Sequence, residues 1–199
     1  MNNRDLSPPG PAREAYHHGD LATALLDGAL ALLAQGHEPS LRAVARQAGV
    51  STMAPYRHYA DKDALLAAIA VRGLTQLHDA VLAADRAAAP GRALVAQALA
   101  YVRYAHDNPV LFRLMFGPTR PRADEAVCDA AQAVKTLMLQ RLVSEAPEQF
   151  SPDRAIGCWS LVHGLAMLVL DGLLDDTDPN PLDGLVERVV QTMLEGRQG

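Results

Sequence analysis

Between Ser51 and Lys62 the chain gathers hydroxyls, a thioether, an aromatic ring, a guanidinium, an imidazole and an ammonium: Ser51, Thr52, Met53, Tyr56, Arg57, His58 and Lys62. These groups donate hydrogen bonds, offer positive charge to anions and present methyl-rich surface, which is the chemistry of binding. A second pair, Trp159 and His163, stands at i, i+4 and so shares one face of any helix there. Other combinations fit catalysis or metals less well. His17, His18 and Asp20 look like a metal site only superficially, and a helix cap after a loose leader explains them better. Asp175, Asp176 and Asp178 lack the glycine and the distant glutamate of a calcium loop, so a solvated turn is expected. Cys128 and Cys158 are too far apart for a framework and are expected to be small core residues in a reducing compartment. No G-x-S-x-G, H-E-x-x-H, P-loop or G-x-G-x-x-G pattern occurs. An enzyme is not expected, nor is a metal or cofactor.

The 199 residues are 49% hydrophobic and 21% charged, with only 5% aromatic, an ordinary globular composition biased by Ala and Leu toward helix. Net charge is −5, but it is unevenly spread. From Ser40 to Lys62 four basic residues (Arg42, Arg46, Arg57, Lys62) face one acid, Asp61, which leaves that segment at +3. From Gly73 onward 11 basic residues face 16 acids, for −5. A local basic patch on an acidic body still meets phosphates while the body keeps the molecule in solution. Residues 1–15, with Pro8, Pro9 and Pro11 and no apolar signal core, read as a disordered leader. The longest apolar run, Ala155 to Leu170, falls short of the ~20 residues of a membrane span, so a cytoplasmic protein without membrane contact is expected.

All periodicity in the chain is helical. Asp20 to Ala34 predicts a first helix, capped by Asp20 and closed by Gly36. Ser40 caps a second, with Leu41, Val44, Ala45 and Ala48 at i, i+3, i+4, i+7. Gly49-Val50-Ser51 breaks it, and Thr52 to Tyr59 restarts as a third helix with Pro55 and Tyr59 inward. Asp61 caps a fourth, which continues through Leu74, Leu77 and Val81. After Ala89-Pro90-Gly91 come helices at Arg92–His106, with Leu94, Val95, Ala98, Leu99 and Val102 buried, and at Val110–Phe116. A proline-rich loop, Gly117–Arg122, follows. Further helices are expected at Asp124–Glu145, from Pro152 to about Asp171 with Ser151 as cap, and from near Pro181 along the stripe Leu182, Leu185, Val186, Val189, Val190, Met193. The fold class is all-α, with about nine helices. A domain of residues 16–72 precedes a larger helical body of residues 73–199.

Two short helices joined at a glycine, the second presenting Thr52, Met53, Tyr56 and Arg57 outward, suit a helix-turn-helix with its second helix in a DNA major groove. The same spacing also occurs in helical proteins that never touch DNA. The matching residues go further. Tyr16-His17-His18-Gly19-Asp20-Leu21, then Leu41, Arg42, Val44, Ala45, Ala48, Gly49, Val50 and Ser51, then Ala54-Pro55-Tyr56-Arg57-His58-Tyr59 and Asp61-Lys62-Asp63-Ala64-Leu65-Leu66 resemble the DNA-binding domain of TetR-family regulators. The resemblance implies base-facing roles for Thr52, Met53, Ala54 and Arg57. It implies phosphate contacts for Arg42, Tyr56, His58 and Lys62; Ser51, which can cap the second helix, is counted among the DNA-binding residues. Pro55 stands where much of the wider family has Leu, which implies a slightly shifted first turn of that helix.

In the body, Cys158-Trp159-Ser160-Leu161-Val162-His163-Gly164 resembles the Trp…His-Gly signature of one C-terminal class of the same family, and Asn108 to Gly117 resembles its mid-domain segment. That resemblance implies a homodimer through the last two helices, a double-stranded operator as partner, and a small apolar effector. The Trp159–His163 face is read either as a pocket wall with polar handles or as a buried Trp beside a satisfied His. Tyr101, Tyr104, Phe112, Met115, Phe116, Met138 and Met167 are the other candidate ligand contacts. The expected function is a transcriptional repressor released by its effector. The alternative is a DNA-binding regulator or architectural factor that answers to no small ligand. A third reading is a helical enzyme or interaction module carrying a vestigial motif.

Overall fold

The computed structural model describes residues 18–117, 124–145, 151–174 and 181–195. The expectations for the leader, for most of the proline-rich loop and for the acidic loop fall outside these residues. Among the described residues there are eight α-helices, one short 3₁₀ helix and no strand. The helices are α1 (His18–Ala34), α2 (Leu41–Gln47), α3 (Lys62–Ala87), α4 (Ala93–Asp107), α5 (Pro109–Phe116), α6 (Glu125–Glu145), α7 (Pro152–Leu170) and α8 (Pro181–Glu195). The 3₁₀ helix is Pro55–Arg57, where the sequence predicts a full α-helix. The α1 helix begins two residues before the predicted cap, so Asp20 falls in its first turn.

The chain forms two compact units, Met1–His58 and Tyr59–Gly199. In the first, α1 packs against α2 and α2 against the 3₁₀ helix. The interior is Leu25, Ala29, Leu41, Val44, Ala45 and Pro55. Ser40 is the N-cap of α2: the Ala43 N–H donates to its Oγ at 3.2 Å.

In the second unit, α4 touches every other helix, and its buried Val95, Ala98, Tyr101, Val102 and Ala105 form the centre of the core. Two positions expected in that core, Leu94 and Leu99, are half-buried; Gln97 and Tyr101 lie inside instead. Asp61 caps α3 through the Ala64 N–H at 2.8 Å, and Ser151 caps α7 through the Arg154 N–H at 3.1 Å. Ion pairs fasten helix to helix: Arg92 with Glu187 and Arg103 with Asp183 between α4 and α8, and Arg113 with Asp171 (2.7 Å) between α5 and the end of α7. Of the two cysteines expected in the core, Cys128 is exposed and Cys158 half-buried.

By length and composition alone, α3 and α7 are apolar enough to cross a membrane, and their most apolar windows are 50% and 22% buried. The α3 face is taken up by α4, α5 and α6. Gly73 makes the α3–α5 approach possible, because a Cβ there would fall 2.6 Å from Met115 Sδ and 2.8 Å from Leu111 Cδ1. On an open helix face, Gly→Ala stabilises by up to about 1 kcal/mol. Here Gly73→Ala is expected to destabilise by about 1–3 kcal/mol, the usual cost of forcing a carbon into a packed core. Urea unfolding checks it: the midpoint should fall at unchanged slope, and a rise would contradict the packing.

Candidate functional site

The turn between α2 and the 3₁₀ helix is built from backbone bonds. Gly49 has φ +68°, and the Gly49 N–H donates to Arg46 O (3.2 Å) while the Val50 N–H reaches Ala45 O (3.0 Å). This is a Schellman closure, and it needs a residue that accepts the left-handed conformation. Beyond it the backbone bonds run from residue i to i−3: Ala54 N–H to Ser51 O (2.9 Å), Arg57 N–H to Ala54 O (3.2 Å) and His58 N–H to Pro55 O (2.9 Å). The cause is Pro55. It has no N–H to give Ser51 O, so the α-helical bond expected there does not form and the segment winds more tightly.

The tighter winding changes which side chains align. At three residues per turn, Met53 and Tyr56 fall in one row and Ala54 and Arg57 in the next. An α-helix would instead have put Thr52 beside Tyr56. Pro55 is buried, while Ser51, Thr52, Met53, Tyr56, Arg57 and His58 are exposed and Ala54 is half-exposed. Met53 and Tyr56 are 66% and 44% exposed, unusual for large apolar side chains on a small unit. Arg42 is exposed on α2. Lys62 belongs to the second unit, as the first residue of α3 after the Asp61 cap.

In the body, His163 sits in an aromatic cluster. It stacks on Phe112 (centroids 5.7 Å, 26° between planes), meets the edge of Phe116 at 5.0 Å and lies 5.9 Å from Trp159. Tyr101 Oη is 3.0 Å from His163 Nδ1. Burial pushes the imidazole below its usual pKa and the Tyr101 phenol well above its own. Burial thus favours the neutral imidazole, and the ring and the phenol share a hydrogen bond whose donor is set by the tautomer. Tyr104, whose phenol burial raises to about 12, donates to Gly73 O at 3.0 Å. Phe112 and Met115 are wholly buried.

Two cavities flank Trp159. The outer one, about 250 Å³, is lined by Tyr101, Phe116, Cys128, Gln132, Lys135 and Trp159, among others. The inner one, about 50 Å³, is almost entirely apolar; Leu94, Gln97, Met138, Leu142 and Val162 contribute to it, with Lys135 and Trp159 again on its wall. Lys135 Nζ lies over the indole at 5.8 Å. Of the sequence-derived ligand candidates, Tyr101, Phe116, Met138 and Trp159 thus border a cavity. Tyr104, Phe112, Met115, His163 and Met167 border neither.

Sequence reasoning passed over Gln97. Its Nε2 donates to Asp85 Oδ1 at 2.8 Å, and Arg141 grips the same carboxylate through Nε (2.7 Å) and a terminal nitrogen (2.5 Å). The Arg141 bonds hold the Asp85 carboxyl below the usual carboxylate range. The signal was present in the α4 stripe: Leu94, Gln97, Ala98 and Tyr101 fall at i, i+3, i+4 and i+7, a polar residue among core positions.

Comparison with known proteins agrees with this architecture. Residues 25–69 match the family model described as bacterial regulatory proteins, tetR family, and residues 94–193 match the tetracyclin repressor-like C-terminal domain. A structure of a protein of unknown function from Rhodococcus sp. RHA1 superposes with TM-score 0.79 at 34% identity, covering 92% of this chain and 98% of that one. The HTH-type transcriptional regulator YobS of Bacillus subtilis, itself uncharacterised, is 28% identical over 130 residues, 65% of this chain and 68% of its own. The regulator LfrR of Mycobacterium smegmatis, in complex with proflavine, has the same fold, with TM-score 0.62 at 21% identity over 90% of this chain and 98% of its own.

The His163 environment predicts a pH dependence. The unfolded chain takes up an imidazole proton near pH 6.5, and the folded site resists protonation to lower pH. The stability that His163 supports is therefore full above about pH 6.5 and lost as the pH falls below it. Thermal unfolding between pH 7.5 and 5 should show a shallower loss for His163→Gln than for the wild type. Parallel profiles would contradict the buried, neutral assignment.

Proposed function

This chain belongs to the tetR family of bacterial regulatory proteins, and from that premise we propose that it is a repressor that binds a palindromic operator as a homodimer and is released by a small effector. It is a DNA-binding transcriptional regulator by fold and domains. The observation that carries the finer reading is the exposed row Thr52–His58 mounted on buried Pro55, within a segment of net charge +3. Thr52, Met53, Ala54 and Arg57 are proposed to face the bases, with Ser51 beside them in the DNA-binding surface. Met53 and Ala54 lack strong donors, so they would read thymine methyls while Thr52 and Arg57 read acceptors. Arg42, Tyr56, His58 and Lys62 are proposed to hold phosphates. Lys62 stands at a helix N-terminus, where free amides and the helix dipole also favour an anion. The DNA-reading part is taken as residues 16–72 and the effector and dimer part as residues 73–199.

The dimer surface is proposed to lie on α7 and α8. Ile156 and Leu168 on α7 and Met193 on α8 are exposed, and a Cβ added at Gly164 would meet nothing within 4 Å. An apolar helix face left open beside small residues suits close packing on a second copy. The outer cavity beside Trp159, about 250 Å³, favours an effector over a ligand-independent regulator. The effector would act by shifting the two recognition segments away from one DNA turn, about 34–36 Å.

Tyr56→Ala and Lys62→Ala, tested separately by anisotropy on an operator duplex, are each expected to weaken binding tenfold or more. Lys62→Ala should also reduce the slope of log affinity against log salt by about one, whereas Tyr56→Ala, which removes no charge, should leave the slope unchanged. Helicity should be unchanged. Operator affinity that survives both substitutions would remove the DNA assignment.

A further inference from the structure

The outer cavity beside Trp159 carries one charge on its wall. Tyr101, Phe116 and Trp159 bring three aromatic side chains to it, and Val134 adds a buried aliphatic one. No acid lines it, and Lys135 is its one cation. Elsewhere in the body Arg92, Arg103, Arg113 and Arg141 each grip a carboxylate. Lys135 does not: among the described residues no acid pairs with it and no hydrogen bond holds it. The half-buried Lys135 instead sets its Nζ over the Trp159 ring, 5.8 Å from the centroid. That is near the outer limit of about 6 Å for a cation–π contact, so the ring compensates the charge only weakly. An ammonium has three donors and no acceptor, and a ring face leaves most of them unmet.

We propose that the effector is an aromatic carboxylate, held in the outer cavity with its carboxylate on Lys135 and its rings against Trp159 and Phe116. The inference rests on the effector reading above and adds the chemistry of the ligand. A carboxylate only accepts, so it matches an ammonium that only donates, and charge-assisted bonds of this kind are the strong ones. A cationic ligand would meet Lys135 with repulsion. A neutral aromatic would gain the ring contacts and leave the ammonium as it was. The volume sets the size. A cavity of about 150 Å³ accepts benzene, so the 250 Å³ here leaves space for a second ring and the acid group. Three aromatic side chains on the wall favour a flat, unsaturated body, which packs on them edge-to-face or offset.

The test compares 2-naphthoate with 2-naphthamide, which share shape and differ in charge, titrated calorimetrically into the full-length protein at pH 7 and fixed salt. The wild type should bind the acid about tenfold more tightly than the amide. The indole N–H signal of Trp159, the one tryptophan of the chain, should shift with both. In Lys135→Met, which keeps the apolar stem and removes the charge, the preference should vanish while the amide still binds. Lys135→Gln gives the same comparison if Lys135→Met does not fold. Equal binding of acid and amide by the wild type overturns the proposal and leaves the effector reading standing. A preference for the acid that persists without Lys135, or that leaves the indole signal unmoved, also overturns it, because the anion then sits elsewhere. Binding of neither compound overturns it as well. In that case benzene separates the two readings: its entry, seen at the indole signal, keeps the effector cavity, and its exclusion removes the effector reading too.

Discussion

The body of this protein depends on one carboxylate. Asp85 accepts from Arg141 of α6 and from Gln97 of α4 while itself belonging to α3, so three helices meet at one partly buried charge. A buried carboxylate must be matched or it destabilises the fold. Satisfying Asp85 fixes the rotation of α4 about its axis, because Gln97 has to point inward to reach it. With α4 so rotated, Tyr101 is one turn further along the same face, where it meets His163 and Phe112. The cavities beside Trp159 are what remains between those fixed points.

A different constraint governs the other unit. Gly49 ends α2, and the missing N–H of Pro55 keeps the next segment from becoming an α-helix. The result is a short, tightly wound platform whose exposed side chains repeat every three residues. Such a platform presents Met53 and Tyr56 together, an apolar edge beside a hydroxyl, with Arg57 adjacent.

Much of this was legible in the sequence. The helices, the caps Ser40, Asp61 and Ser151, and the glycine turn follow from period and local hydrogen-bonding chemistry, which act over a few residues. Pro55 was visible as a departure. Its consequence was not, because a proline in a first turn can be absorbed or can rewind the segment, and the packing beneath it decides. The Asp85–Gln97–Arg141 node and the Tyr101–His163 bond span 12 to 62 residues of chain, and no local rule pairs such residues. For that reason His163 read equally well as ligand contact or core residue, and Gln97 went unnoticed within an apolar stripe. The burial expected of Cys128 failed similarly: its residue type favours the interior, but its helix face is exposed.

The central claim is that an exposed platform on a dimer reads DNA with two-fold symmetry. Selection of bound duplexes from a random pool by the full-length protein tests it most directly. The account predicts an inverted repeat whose half-sites lie about one helical turn apart, or a multiple of it. Enrichment of no sequence, or of a single asymmetric site, would contradict it.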